Sequence, residues 1–335
     1  MKKILCIVLS LMLALSIVAC AKQQPATLPA EAPQPATPDA PAGEIPEEKI
    51  YTIGIIQLTQ HAALDAACSG FVDGINASDL NVIIDIQNAQ GEQSICSTIA
   101  TKFVNDGVDL ILAITTPAAQ SAAQATKDIP ILITAVTDPV SAGLVLSNEA
   151  PGGNVSGTSD MNPVAEQAAL LYKLVPEAKT VGIMYHSSED NSIIQANLAR
   201  TALEALGLTV QEYTVADSND VQAVTQSAVG KVDALYIPTD NLLADTIATV
   251  SMIATPAGIP IICGESNMVN GGGTATYGIS YKQLGLQTAA QAIKILGEGV
   301  NVGTIPIEYC NADLELVINP DIIAQLGITV PADLK

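Results

Sequence analysis

The residues with the richest hydrogen-bonding chemistry in this chain fall in short clusters, each just after an apolar run. Gln57, Thr59 and His61 follow the first run, Thr115 and Thr116 a later one, and Thr137 and Asp138 the next. Further on come Ser188, Asn191 and Ser192, then Asp240 and Asn241, then Glu265. None of these sets makes a nucleophile with its base, and none has metal-ligand spacing. They are donors, acceptors and carboxylates, the groups that hold a small polar molecule. Thr116 before Pro117 reads as a helix N-cap with proline at the first helical position. The free N–H groups and dipole there would favour an anion such as a carboxylate. Asn191 and Ser192 would open a second helix toward the same anion. Asp240, with Glu265 as a second candidate, is placed to pair with a cationic group. An anion cradle and a carboxylate together suit a zwitterion.

Positioning these clusters requires strands that end where they begin. From Lys49 the chain alternates apolar strand, polar turn and amphipathic helix. Strands are expected at 50–56, 82–86, 108–114 and 129–134, with helices at 62–77, 93–105 and 117–126 between them. A turn at Pro151-Gly152-Gly153-Asn154 separates this array from a second one. There helices are expected at 164–174, 193–206, 220–229 and 242–255, and strands at 180–185, 210–215, 234–238 and 259–263. Such alternation makes parallel sheets covered by helices on both faces, and ligands to such sheets bind beyond the carboxyl ends of the strands. The tail holds strands at 274–279, 305–309 and 315–318 and a helix at 283–296. It has no array of its own, so it should complete the lobes already built, with crossings near 155–160, 274–281 and 310–318. The expected division is 49–157 plus 280–310 for the first lobe and 158–279 plus 311–335 for the second.

The chain begins as an exported protein would. Lys2 and Lys3 precede an apolar run over 4–18, too short to span a bilayer comfortably, that ends in Ile17-Val18-Ala19-Cys20. This is the pattern of a lipobox, with residues 1–19 removed and Cys20 lipidated. Seven prolines crowd the next stretch, among them Pro25, Pro33 and Pro41, mixed with Ala, Gln and Glu. It has no apolar period with which to bury a face, so 20–48 should be a solvated, semi-stiff linker.

Composition removes other classes. The chain carries 13 Lys and Arg against 34 Asp and Glu, a net charge of −21. An excess of that sign disfavours nucleic acid and anionic lipid surfaces as partners. Only two histidines are present, His61 and His186. No Gly-x-Ser-x-Gly elbow and no phosphate loop occurs, and Gly297-x-Gly299 follows a helix, the wrong context for a dinucleotide. An enzyme is therefore not expected, and neither is a cofactor or a metal. Cys68, Cys96, Cys263 and Cys310 contain no CxxC pair and read as core thiols, though one disulfide among them stays open.

Several segments resemble one known family. They are Gly54-Ile55-Ile56-Gln57, His61-Ala62-Ala63-Leu64-Asp65, Leu112-Ala113-Ile114-Thr115-Thr116-Pro117 and Thr134-Ala135-Val136-Thr137-Asp138-Pro139. Val232-Asp233-Ala234-Leu235-Tyr236-Ile237-Pro238-Thr239-Asp240-Asn241 and Ala275-Thr276-Tyr277-Gly278-Ile279 continue the likeness in order. Together they are similar to the tryptophan/tyrosine-type substrate-binding proteins of ABC importers. The resemblance implies a type I periplasmic-binding-protein fold, two Rossmann-like lobes joined by three crossovers. It also implies an amino-acid-like ligand, aromatic favoured, handed to an ABC permease driven by its ATPase. The protein would act outside the cytoplasm as a monomer, held to the membrane only by its lipid. Carried onto this chain, the likeness supports Thr115, Thr116, Thr137, Asp138, Asn191, Ser192, Asp240 and Asn241, and Leu64 and Asp160 complete the candidate set. Gln60 and Ala62 depart from the Glu and Pro expected around His61, and Ser266-Asn267-Met268 is less acidic than expected. Those departures touch the cleft and leave the fold alone. A sensor that presents its solute to a chemoreceptor or kinase is the alternative. Tyr277 and Tyr281 could stack on an aromatic ligand or pack at a crossing.

Overall fold

Eight-residue β1 (Ile50–Gln57) runs parallel to β2 (Asn81–Asn88) on one side and β3 (Leu110–Ile114) on the other. This is the centre of a computed structural model that describes residues 49–334. The leader, Cys20 and the proline-rich linker lie outside the described residues. β4 (Ile131–Thr134), β5 (Val155–Ser159) and β11 (Glu308–Tyr309) extend the sheet to the order β11-β5-β4-β3-β1-β2, parallel throughout. Buried Ile and Leu dominate β1, β3 and β4 because helices cover both faces of the sheet. Those helices are α1 (Ala62–Asn76), α2 (Gln93–Asp106), α3 (Thr116–Ala125) and α9 (Tyr281–Glu298).

The second sheet has the order β12-β10-β9-β8-β6-β7. Its strands are β6 (Thr180–His186), β7 (Thr209–Val215), β8 (Ala234–Ile237), β9 (Ile261–Cys263), β10 (Ala275–Gly278) and β12 (Glu315–Ile318). Only the β10–β12 pair is antiparallel. Around it lie α4 (Val164–Leu174), α5 (Asp190–Ala205), α6 (Asp220–Ala228), α7 (Asn241–Ala254), α8 (Ser266–Asn270) and α10 (Pro320–Leu326). Each sheet is sandwiched between two apolar cores, one per face. The chain passes between sheets after β5, after β10 and between β11 and β12, so both sheets use tail residues.

Three elements were not expected from the sequence. β5 carries Ser156, Gly157, Thr158 and Ser159, not an apolar run, yet all five of its residues are buried. Its hydroxyls substitute for the missing pattern: Ser156 Oγ donates to the Ile305 carbonyl at 2.7 Å and Thr158 Oγ1 to Thr134 Oγ1 at 3.0 Å. α8 is a single capped turn, and α10 starts at Pro320 behind the cap of Asn319 and stops at Gly327 in the left-handed region. The strand expected at 305–309 pairs only over Glu308 and Tyr309.

The α1–α9 contact closes the first lobe. Gly70 and Gly285 let the two helix backbones approach so closely that a Cβ at Gly70 would strike the Lys282 carbonyl. One at Gly285 would strike the carbonyl of Ala67. Cys68, Cys96 and Cys263 are buried, Cys310 is partly exposed, and all four are free thiols. Among the described residues no helix is long and apolar enough to cross a membrane.

Candidate functional site

Helix N-termini from both lobes meet between the sheets. His61 is the N-cap of α1, Asp240 of α7 and Glu265 of α8, while Tyr281 is the first residue of α9 and Asn191 lies in the first turn of α5. These side chains, with Leu64, Thr137, Asp160, Thr239 and Asn241, line a narrow cavity. The geometry follows from the topology: each residue comes just after a parallel strand or a crossing, so all point to one end of the sheets.

The site is electrostatically one-sided. Asp160, Asp240 and Glu265 line it with 1–2 % exposure, and Glu189 stands behind it at 5 %. Among the described residues, no lysine or arginine lines the cavity. Burial pushes the carboxyls of Asp240 and Glu265 up to about 7 each, and the neighbouring charge of Glu189 adds to the effect at Asp240. Burial also raises Asp160, against the donors Tyr281 and Thr137. Glu189 behaves differently. Burial opposes its charge, but His186, Asn191 and Asn241 together hold it below the usual glutamate range. His186 Nδ1 lies 3.2 Å from Glu189 Oε1, and its Nε2 lies 3.0 Å from the Ala216 carbonyl. An acceptor at each nitrogen favours the protonated ring, whose pKa is raised chiefly by the hydrogen bond to Glu189.

Existing hydrogen bonds fix the carboxylates in place. Asp240 Oδ1 accepts from the Leu243 N–H at 2.8 Å and Oδ2 from the His186 N–H at 2.6 Å. Glu265 accepts from the N–H groups of Asn267 and Met268 at 2.6 and 2.7 Å. The Tyr281 hydroxyl donates to Asp160 Oδ2 at 2.8 Å, and Thr137 Oγ1 to Asp160 Oδ1 at 3.1 Å. Away from the crossing segments, two side-chain hydrogen bonds among the described residues join the lobes. Gln195 Nε2 on α5 donates to Thr137 Oγ1 at 3.2 Å, and Gln120 Nε2 on α3 to Asp190 Oδ2 at 3.0 Å. The lobes are therefore closed over the cavity.

Of the residues expected from sequence, His61, Leu64, Thr137, Asp160, Asn191, Asp240, Asn241 and Glu265 come together around this cavity. Thr59 lines a flanking cavity, which shares Asn241 with the first and adds Glu189, Asp217 and Asp245. Others do different work. Gln57 Nε2 donates to the Thr59 carbonyl and to Asp65 Oδ1, fastening the entry to α1. The Asp138 carboxylate accepts from Val140 N–H, Ser141 N–H and Ser141 Oγ, capping its own turn. Ser188 is exposed, and Ser192 lies behind the lining, accepting from Asn191 Nδ2 at 3.2 Å.

The expected Thr116 cap is corrected. Thr115 is the N-cap of α3, at φ 96°, and the helix starts on Thr116 with Pro117 in its first turn. Thr115 takes the strained left-handed conformation, which shifts the helix start by one residue. The buried hydroxyls of Thr115 and Thr116 have no hydrogen-bond partner, and neither residue lines the cavity. The anion cradle expected there is therefore not at the cavity. Tyr281 resolves as a buried lining residue bonded to Asp160, whereas Tyr277 lies at the β10 crossing. Glu189, Gln195 and Ala135 were missed, because their importance arises only where distant segments meet.

The model of the family described as ABC transporter substrate binding protein matches residues 52–335. A protein of Clostridioides difficile (strain R20291) described as a tyrosine-binding protein is 44% identical over 285 residues, 84% of this chain and 82% of its own length. The crystal structure of an ABC domain from Streptococcus pneumonia in complex with L-Trp superposes with a TM-score of 0.82 at 37% identity. That match covers 85% of this chain and 97% of the other. A ligand-free, open substrate binding protein with adhesive properties from Clostridium difficile is 46% identical, covering 84% and 97%, yet superposes at only 0.66. The backbone thus lies nearer the ligand-bound relative than the open one, in keeping with the direct contacts between lobes. The fold is that of the type I periplasmic-binding proteins.

Proposed function

This chain belongs to the ABC transporter substrate-binding protein family, and from that we propose that it captures an aromatic amino acid between its lobes for delivery to an ABC permease. The family is made of extracytoplasmic solute-binding proteins, not enzymes. The observation that carries the reading is the cavity lined by Asp160, Asp240 and Glu265, with no lysine or arginine among the described residues that line it. Buried carboxylates without a counter-charge are costly, and a ligand ammonium would supply one. Relatives described as tyrosine-binding and as a complex with L-Trp support an aromatic side chain on that ammonium.

Ligand would touch residues of both lobes only when they are closed, and so shift the open–closed equilibrium toward closure. The permease would read the closed shape. In this reading 1–19 direct export, Cys20 carries the lipid, and 20–48 hold a monomeric binding unit off the membrane. The lobes divide as 49–157 plus 280–310 and 158–279 plus 311–335, with β5 running two residues past the first boundary, to Ser159, in the first sheet.

A thermal-shift screen of the purified protein, unfolded and refolded to strip carried-over ligand, tests the proposal. A ligand at a hundred times its Kd stabilises the fold by about 2.7 kcal/mol. The expected result is a rise in Tm with L-tryptophan, L-tyrosine or L-phenylalanine and none with sugars or nucleosides. Tryptophan binding can be followed by ligand fluorescence, since the chain contains no tryptophan. Silence from all three aromatic amino acids would overturn the ligand assignment. Retention of a Cys20→Ala variant in the membrane fraction would overturn the lipid anchor.

A further inference from the structure

Among the described residues lining the central cavity, two side chains hold buried polar atoms without a hydrogen-bond partner: both ring nitrogens of His61, and Oδ1 of Asn191. They belong to opposite lobes, His61 at the start of α1 and Asn191 in the first turn of α5. The Asn191 amide is oriented without ambiguity. Its Nδ2 donates to Glu189 Oε2 at 3.1 Å, Ser192 Oγ at 3.2 Å and the Thr239 carbonyl at 3.0 Å. A flipped amide would set its oxygen against a carboxylate and a carbonyl. Oδ1, on a residue only 5 % exposed, is therefore a spare acceptor.

His61 is the spare donor. A neutral imidazole offers one N–H and one acceptor nitrogen, and the carboxylate-lined pocket holds no lysine or arginine to meet an anion. The ring does not cap its own helix. No side chain caps α1, whereas Asp240, Glu265 and Ser280 accept from first-turn N–H groups of α7, α8 and α9. The positive end of the fifteen-residue α1 thus opens beside the ring, with Leu64 from its first turn on the cavity wall.

Resting on the amino-acid reading above, we propose that His61 and the α1 N-terminus bind the ligand's α-carboxylate while Asn191 Oδ1 accepts from its ammonium. One zwitterion then bridges the two lobes. Its ammonium lies among Asp160, Asp240 and Glu265, and its carboxylate takes the place the sequence had given to Thr116. Burial lowers the His61 pKa, against the nearby Asn241 side chain, which lies outside hydrogen-bonding geometry to the ring, and the charges of Asp245 on α7, Asp65 on α1 and Glu189 at the α5 cap. Asp160, Asp240, Glu265 and Tyr281 share the cavity with the ring and add no positive charge. The ring therefore donates as a neutral group.

The test compares whichever of L-tryptophan and L-tyrosine binds more tightly with its decarboxylated amine, tryptamine or tyramine, by titration calorimetry. In wild type the carboxylate should be worth roughly tenfold to a hundredfold in affinity, the range for a hydrogen bond to a charged group. His61→Ala should collapse that ratio toward one, and His61→Asn, which keeps an N–H donor, should restore part of it. If wild type holds the amine as tightly as the amino acid, or if His61→Ala keeps the wild-type ratio, the inference is overturned. Where the amine is too weak to measure, His61→Ala must weaken the amino acid at least tenfold with recovery in His61→Asn, and failure of either overturns it. If wild type binds none of the aromatic amino acids, it is the ligand reading that fails.

Discussion

Gln195 reaches from α5 across the cleft to Thr137 after β4, donating from Nε2 to Oγ1 at 3.2 Å. The same amide accepts from Thr239 Oγ1 at 3.0 Å, and Thr137 Oγ1 in turn donates a hydrogen bond to Asp160 Oδ1 at 3.1 Å. One buried side chain therefore joins the second lobe to the first and to a crossing strand. Gln195→Ala removes this link and leaves Thr239 without its acceptor. We expect the ligand-free protein to populate the open form more, seen as a larger radius of gyration in solution scattering. Amino-acid affinity should fall severalfold, the effect of about 1 kcal/mol for one net hydrogen bond. An unchanged radius and affinity would show that the contact follows closure without favouring it.

Asp240 has two duties, capping α7 and lending its charge to the cavity. Asp240→Asn keeps an oxygen for the Leu243 N–H and removes the charge. Affinity for an aromatic amino acid should drop at least about tenfold, as for loss of a charged hydrogen-bond partner. The loss of stability should stay near 1 kcal/mol, the scale of a perturbed cap. Wild-type affinity in this variant would remove Asp240 from the ammonium site.

The same carboxyls set a pH dependence. Asp240 and Glu265 titrate near 7 in the native protein against 3.8 and 4.5 when unperturbed. The native state therefore holds more protons than the unfolded chain across that window, and ligand-free stability should fall as pH rises from about 5 to 7. Asp160 and His186, both raised, act in the same direction, and His61, lowered, acts against them. Ligand affinity should move oppositely, increasing from pH 6 to 8 as the carboxyls ionise and face the ammonium. Tm measured with and without ligand over that range checks both signs. A ligand-free Tm that climbs between pH 5 and 7 would contradict this account.

Gly157, in the middle of β5, has φ 142°, and a Cβ there would collide with the backbone of Ile133 on β4. Gly157→Ala must strain its own backbone and push apart two paired strands. We expect a loss of roughly 2–4 kcal/mol, in the range of large single-site effects. Chemical denaturation should show it as a lower midpoint at unchanged slope.

Much of the architecture was legible because the chemistry is repetitive. Runs such as Ile53-Gly54-Ile55-Ile56 and Leu110-Ile111-Leu112 can be buried on both faces only in a helix-covered sheet, and alternation with amphipathic helices forces parallel order. Strand ends then marked His61, Thr137, Asp240 and Glu265 in advance. β5 was not legible, since its burial depends on hydroxyls finding Ile305 and Thr134 far along the chain. The same holds for Glu189, whose carboxylate is organised by Asn241, fifty-two positions away. The one-residue error at Thr116 has a local cause, the positive φ of Thr115, which no side-chain pattern announces.

The return of the tail to the first lobe sets an order on how the molecule can come into being. α1 packs its apolar face on α9, and the outer strand of the first sheet is β11, so that lobe waits for residues made more than 200 positions after β1. A growing chain that has just completed β9 holds the central strands of the first sheet and still leaves Phe71 and Ile75 without their final cover. Neither half can be finished, or inherited by shuffling, as a separate contiguous piece. The last fifth of the polypeptide decides whether the first fifth was worth making.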